Sequence, residues 1–268
     1  MPSAARALMI GATLWAPFSD SRVDGSSTDA ERWRTVAKRA VYFGHQSVGD
    51  NIAAGIERLN SDLKLGLRLV QTHEPSAVSH PAFVHFHAGR NQDPSSKNAA
   101  IVRMLESRPR PDQAIVLLKY CYVDIDHDRD VEAMFSAYQA TVRNIRARFP
   151  DVTIVHSTVP VTTVETAMKA QAKQLLGKPS VRQAAITRQR YNALVRAAFA
   201  GREPLFDIAR IESTGPNHEL VFFDAKGQKI ETLAPEYTSD GGHLNERGQA
   251  LVAKELLNVL ARITEKGG

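Results

Sequence analysis

Apolar and polar positions along this chain switch repeatedly between a period near two and a period near 3.6. "AVYF" (40–43) is a short apolar run that reads as a strand. In "VGDNIAAGIERLNSDL" (48–63), Ile52, Ile56 and Leu59 recur at helical spacing. "LGLRLVQT" (65–72) alternates as a half-buried strand does. A polar, histidine-rich loop is expected over 73–95, then a helix over 96–107 that stops before Pro109. "AIVLLKY" (114–120) and "VTIVHSTVP" (152–160) are near-continuous apolar runs, as in parallel strands covered on both faces. Helices are expected over 130–149 and 180–199, a last strand over "PLFDIARIE" (204–212), and a closing helix over 246–263.

Strands interleaved with helices predict an α/β fold: a five-stranded, mostly parallel sheet between two helical layers, a three-layer α/β/α sandwich. One domain is expected over 33–264. Open sheets of this kind bind ligands at the carboxyl ends of their strands. The polar residues there are His45, Gln46 and Ser47 after the first strand, and His85, His87, Gly89, Arg90 and Asn91 in the histidine-rich loop. Tyr120, Cys121, Tyr122 and Asp124 follow the third strand, and Ser157 and Thr158 lie near the fourth. After the fifth comes "TSDGGHLNERG" (238–248).

Composition narrows the classes. The chain has 268 residues, 43% hydrophobic and 24% charged, which is enough to bury a substantial core and is unlike a disordered chain. The net charge of +5 comes from basic residues scattered at helical spacing, with no aromatic interleaving, so no nucleic-acid partner is expected. The single cysteine, Cys121, excludes an internal disulfide and a CxxC zinc site. No apolar run is long enough to span a membrane. One arginine and an apolar stretch from Ala7 to Phe18 resemble a secretory signal, so residues 1–30 read as a leader and the protein as periplasmic or secreted, with a cytoplasmic location the alternative.

Ser47 falls where a helix begins. Free backbone N–H groups and the dipole there stabilise negative charge on a neighbouring oxygen. A serine so placed is either a helix cap or a nucleophile. Asp240 and His243, three residues apart across two glycines, supply an orienting carboxylate and a general base, the other two parts of a serine relay. The other reading of that segment is a glycine turn before a helix capped by Asn245.

"DGGHLNERGQALVAKELL" resembles the last sequence block of the SGNH/GDSL hydrolase superfamily, and "VYFGHQSVG" resembles its nucleophile block. "RQRYNALVRAAFAGREPLFDIARIE" resembles the helix and strand leading into the last block, so the likeness runs in order over about residues 40 to 262. The resemblance implies an SGNH, flavodoxin-like α/β/α fold and ester hydrolysis, with Ser47 as nucleophile, His243 as base and Asp240 as its orienter. It also implies an oxyanion hole with N–H groups from Ser47 and Gly89; the third donor expected here is the Tyr122 hydroxyl, with Asn91 or His45 the alternatives. The chain departs from the family in two places. Gln46, preceded by His45, replaces the aspartate of Gly-Asp-Ser; a Gly-Gln-Ser version is familiar from carbohydrate acetylesterases. "LLKYCYVDI" lacks the asparagine of the third block, with Cys121 or Tyr122 nearest that position.

The expected function is a serine esterase acting on an O-acyl, in particular O-acetyl, ester of a carbohydrate or small molecule. His45, Gln46, Arg90 and Asn91 are expected to bind substrate. The alternatives are an acyltransferase with the same triad and a binding protein of this fold with a decayed site. No cofactor is expected. No metal is expected either: His85 and His87 have strand-pair spacing but no third ligand near them in sequence, and "DIDHDRD" (124–130) reads as a solvated helix start.

Overall fold

The computed structural model describes residues 27–107, 113–165 and 180–266. The expected leader lies outside these, apart from residues 27–30, the first turn of helix α1 (Ser27–Arg34). Trp33 on α1 is fully buried, and its Nε1–H donates to Asn258 Oδ1 at 2.9 Å.

Six parallel strands form one sheet in the order β2–β3–β1–β4–β5–β6: β1 (Ala40–His45), β2 (Leu69–Gln71), β3 (Ala82–His87), β4 (Ile115–Leu118), β5 (Thr153–Ser157) and β6 (Leu205–Phe206). Chain connections run to one side of β1 first and then cross to the other, which leaves a crevice at its carboxyl end. Every residue of β1 is buried. Val41 and Phe43 join Phe83, Ile115 and Leu117 on one face, while Ala40 and Tyr42 join Val84, Val116 and Leu118 on the other. That two-faced burial is why these strands are apolar throughout.

The first face is covered by α1, α2 (Ser47–Leu63) and the last helix, α7 (Glu246–Lys266). The second is covered by α3 (Pro94–Ser107), α4 (Val131–Arg148) and α5 (Val181–Phe199). α6 (Ile208–Glu212) follows β6 directly, and an antiparallel hairpin of β7 (Phe222–Ala225) and β8 (Gln228–Glu231) lies outside the main sheet. Among the described residues no helix is long and apolar enough to cross a membrane.

Three expectations change. The sheet has six strands, because "AFVHFH" within the expected polar loop is β3, paired between β2 and β1; His85 stands between Phe43 and Gln71, and His87 faces His45. The expected strand 204–212 shortens to two residues, because the Asp207 carboxylate accepts the Arg210 N–H and caps a helix there. Asp124 is no solvated acid: it is fully buried against Lys97 Nζ at 2.5 Å.

α2 and α7 cross in close contact at Gly55. A Cβ there would fall 2.4 Å from Gln249 O, so only glycine lets the two backbones meet. Overpacking of this kind costs about 1–3 kcal/mol. Gly55→Ala is therefore expected to lower the urea midpoint with an unchanged slope; a midpoint equal to that of the unsubstituted protein would show that the helices separate freely.

Candidate active site

β1 ends in His45, and the next residue, Gln46, is in the extended conformation (φ −141°, ψ −168°) and occupies the cap position of α2. Ser47 is therefore the first helical residue, not the cap. The Gln46 side chain makes no capping bond. Its amide donates instead to Ala88 O (3.3 Å) and Gly89 O (2.9 Å), tying the β1–α2 turn to the end of β3. Ser47 is half-buried, and its Oγ has no hydrogen-bond partner among the described residues.

The 238–245 loop is built around one carboxylate. Asp240 Oδ1 accepts the backbone N–H groups of Gly242 and His243, each at 2.8 Å, and Oδ2 lies 2.7 Å from His243 Nδ1. The His243 backbone N–H first, then that of Gly242 and the imidazole, hold the Asp240 carboxyl well below the usual carboxylate range. Asp240 thus stays ionised, keeps the proton on Nδ1 and leaves Nε2 as the basic nitrogen. Both glycines are required. Gly241 has φ +88° and its carbonyl accepts Thr163 N–H (2.9 Å), and a Cβ on Gly242 would fall 2.9 Å from the Tyr122 hydroxyl oxygen.

This loop docks on α2. The N–H of Leu244, next to His243, donates to Asn51 Oδ1 at 3.1 Å, and Asn51 lies one helical turn after Ser47. Asn245 caps α7, its Oδ1 accepting Gly248 N–H at 3.1 Å, as expected of a helix start.

Gly89 lies at the end of β3 with φ +60°, and a Cβ there would meet Lys97 N at 2.5 Å. Its N–H donates to no partner among the described residues. Tyr122 and Cys121 separate cleanly. Cys121 turns inward and is buried, its N–H donating to Asp124 Oδ2 at 2.7 Å and its carbonyl accepting the Asp124 N–H at 3.0 Å. Tyr122 meets the His243 ring edge-on, with centroids 6.1 Å apart. Burial raises its hydroxyl pKa, so it remains an O–H donor at neutral pH.

The other residues expected to contact substrate lie around this turn. His45 is fully buried, packed so tightly under α2 that a Cβ on Gly49 would fall 2.1 Å from its ring, so it cannot touch a substrate. Arg90 pairs with Asp93 at 2.9 Å, and Asn91 Oδ1 accepts from Lys97 Nζ at 3.1 Å. The histidine-rich segment, which shows no third metal ligand in sequence, is joined in space by His45 and Asp50: His87 Nε2 lies 3.0 Å from each Asp50 oxygen.

A buried charged layer lies beneath, and the sequence reading missed most of it. Lys97 on α3 pairs with Asp124 in the β4–α4 connection, and Gln92 N–H in the β3–α3 loop also donates to Asp124 Oδ1 at 2.8 Å. Lys119 is fully buried, donating to Tyr120 O at 3.3 Å. Glu212 accepts Val161 N–H at 2.8 Å through Oε2, its backbone carbonyl accepts Ala234 N–H, and burial pushes its carboxyl up to about 8. Asn51 could have been noticed as the residue four after Ser47 on one helix face; Glu212 and Lys119 carry no such signal.

No protein-family model and no curated protein sequence matches the chain. Solved structures do. A serine-to-alanine mutant of an acetyl esterase, solved with an acetate ion, is 13% identical over 86% of this chain and 100% of its own, with a TM-score of 0.51. An acetyl xylan esterase is 15% identical over 82% and 98%, with a TM-score of 0.45. The periplasmic domain of a lipopolysaccharide acetyltransferase from Salmonella ser. Paratyphi A is 12% identical over 90% and 97%, with a TM-score of 0.40. At this identity the first likeness establishes a shared three-layer fold.

The raised Glu212 value fixes a sign. Its folded pKa of about 8 exceeds the ordinary 4.5, so the folded state binds the extra proton between those values and stability falls as pH rises through that window. Glu212→Gln is expected to gain stability relative to the unsubstituted protein on going from about pH 5 to about pH 9 in urea unfolding. A constant difference across that range would contradict a neutral buried Glu212.

Proposed function

We propose that this chain is a serine esterase of the SGNH type that removes an acyl group from an oxygen. One observation carries the reading: the hydrogen-bonded Asp240–His243 pair is docked, through Leu244 and Asn51, on the helix that Ser47 begins. The likeness of fold to an acetyl esterase supports acetyl as the acyl group. The Gly-His-Gln-Ser turn, similar to the Gly-Gln-Ser of carbohydrate acetylesterases, supports a sugar as its carrier. The apolar segment from Ala7 to Phe18 supports export.

In this reading Ser47 Oγ attacks the ester carbonyl carbon while His243 Nε2 takes the hydroxyl proton. The tetrahedral oxyanion accepts hydrogen bonds from the N–H groups of Ser47 and Gly89 and from the Tyr122 hydroxyl, which stands where the family places an asparagine. Collapse breaks the carbon–oxygen bond to the alcohol, and His243 returns the proton to the departing oxygen. Water, deprotonated by His243, then attacks the Ser47 acyl ester and releases the carboxylic acid and free serine. Asp240, held ionised by two backbone N–H groups, stabilises the imidazolium in both steps.

Hydrolysis of p-nitrophenyl acetate tests this. Ser47→Ala and His243→Ala are each expected to lower kcat/KM by at least about 10³-fold. Asn51→Ala, which frees the loop without touching the reacting groups, is expected to lower kcat by about 10- to 10²-fold. A fluorophosphonate is expected to label Ser47 alone. Turnover no faster than that of Ser47→Ala, together with an unlabelled Ser47, would overturn the reading.

A further inference from the structure

His45, Asp50 and His87 reach one point from three elements. His45 and His87 are the facing last residues of the neighbouring parallel strands β1 and β3, and Asp50 lies in the first turn of α2. His87 Nε2 lies 3.0 Å from Asp50 Oδ2, and His45 Nδ1 lies 3.9 Å from Asp50 Oδ1. One ligand atom from each residue falls within 4.8 Å of the other two. A tetrahedral ion with bonds of about 2.0–2.2 Å sets its ligand atoms roughly 3.3–3.5 Å apart, which these separations bracket. We propose that His45 Nδ1, His87 Nε2 and an Asp50 oxygen form a binding site for a divalent transition-metal ion, of which zinc best suits two imidazoles and one carboxylate.

The surroundings suit this use. A metal-bound imidazole commonly donates its other N–H to a fixed acceptor. His45 Nε2 lies 3.1 Å from His85 Nδ1, and the two rings stack with centroids 5.3 Å apart. Without an ion, the His45 proton sits on Nδ1 and is donated to Gln46 O at 3.1 Å, while Nε2 accepts from His85. With the ion, the His45 proton moves to Nε2 and is donated to His85 Nδ1, whose own proton moves to the other nitrogen of that ring, while Gln46 O keeps the Gly49 N–H at 2.6 Å. Asp50 and Glu57 bring negative charge to the His85 side of this cluster, and the buried Lys119 ammonium brings positive charge to its His45 side. Asp50 and His87 are part-exposed, which gives an ion a way in and leaves room for a water as fourth ligand. The site does not depend on Ser47 acting as a nucleophile.

The test is calorimetric titration of the tag-free, chelator-stripped full chain with zinc chloride, with unfolding followed by circular dichroism to confirm that each variant is folded. One zinc ion per chain is expected. His87→Ala and Asp50→Asn are expected to weaken binding at least tenfold, and His85→Ala about tenfold by freeing the His45 ring. Ser47→Ala is expected to bind as the unsubstituted protein does. So is His127→Ala, which removes the exposed Asp126–His127–Asp128 group, the other described cluster with metal-like spacing. No binding at all, or binding that survives His87→Ala and Asp50→Asn but is lost in His127→Ala, would overturn the proposal.

Discussion

The junction of α2 with the loop and helix that end the fold is the constraint on which the site depends. Ser47 and His243 lie 196 residues apart in sequence. Nothing local brings them to one edge of the sheet. What does so is a backbone approach permitted by Gly55, closed at its upper end by the Leu244 N–H donating to Asn51. A hydrogen bond at 3.1 Å adds only about 1 kcal/mol, but it acts on a loop already made rigid by Asp240, Gly241 and the Asn245 cap. The apolar contact of the two helices supplies the stability, and the polar contact supplies the register.

Charge is distributed in two tiers around that junction. The upper tier, Asp240 and His243, is exposed to solvent, and its order comes from backbone donors rather than from burial. The lower tier is fully buried: Lys97 pairs with Asp124, and Lys119 stands near Glu212, which burial keeps protonated at neutral pH. Removing one member of a buried pair leaves an uncompensated charge, which costs about 3–5 kcal/mol, so the pair fixes the two loops beside the site in a single arrangement. Gln46 does similar work beside them, holding Gly89 by its carbonyl while the Gly89 N–H has no partner among the described residues.

The sheet was legible in the sequence where strands are apolar on both faces, as in "AVYF", "AIVLLKY" and "VTIVHS". β3 was not, because His85 and His87 look polar until the neighbouring strand is known to offer His45 beside them. The β7–β8 hairpin was missed because Lys226 and Gly227, both at positive φ, form its turn without the Asn-Gly signal that marks such turns. Asp207 hid a helix within an apolar run by capping it. At the site, Asp240 and His243 could be paired from spacing alone, since the carboxylate's backbone donors lie within three residues. The burial of His45 and the inward turn of Cys121 could not, because each depends on a strand or loop distant in sequence.

Acyl transfer to Ser47 forms a covalent intermediate that can be trapped. The protein is mixed with p-nitrophenyl acetate, quenched in acid within the first turnover and digested, and the peptide spanning Ser47 is analysed by mass spectrometry. One acetyl group is expected, carried on Ser47, that appears with the burst of p-nitrophenol and is absent from Ser47→Ala. A burst with no acetylated Ser47, or acetylation of the same peptide in Ser47→Ala, would contradict it.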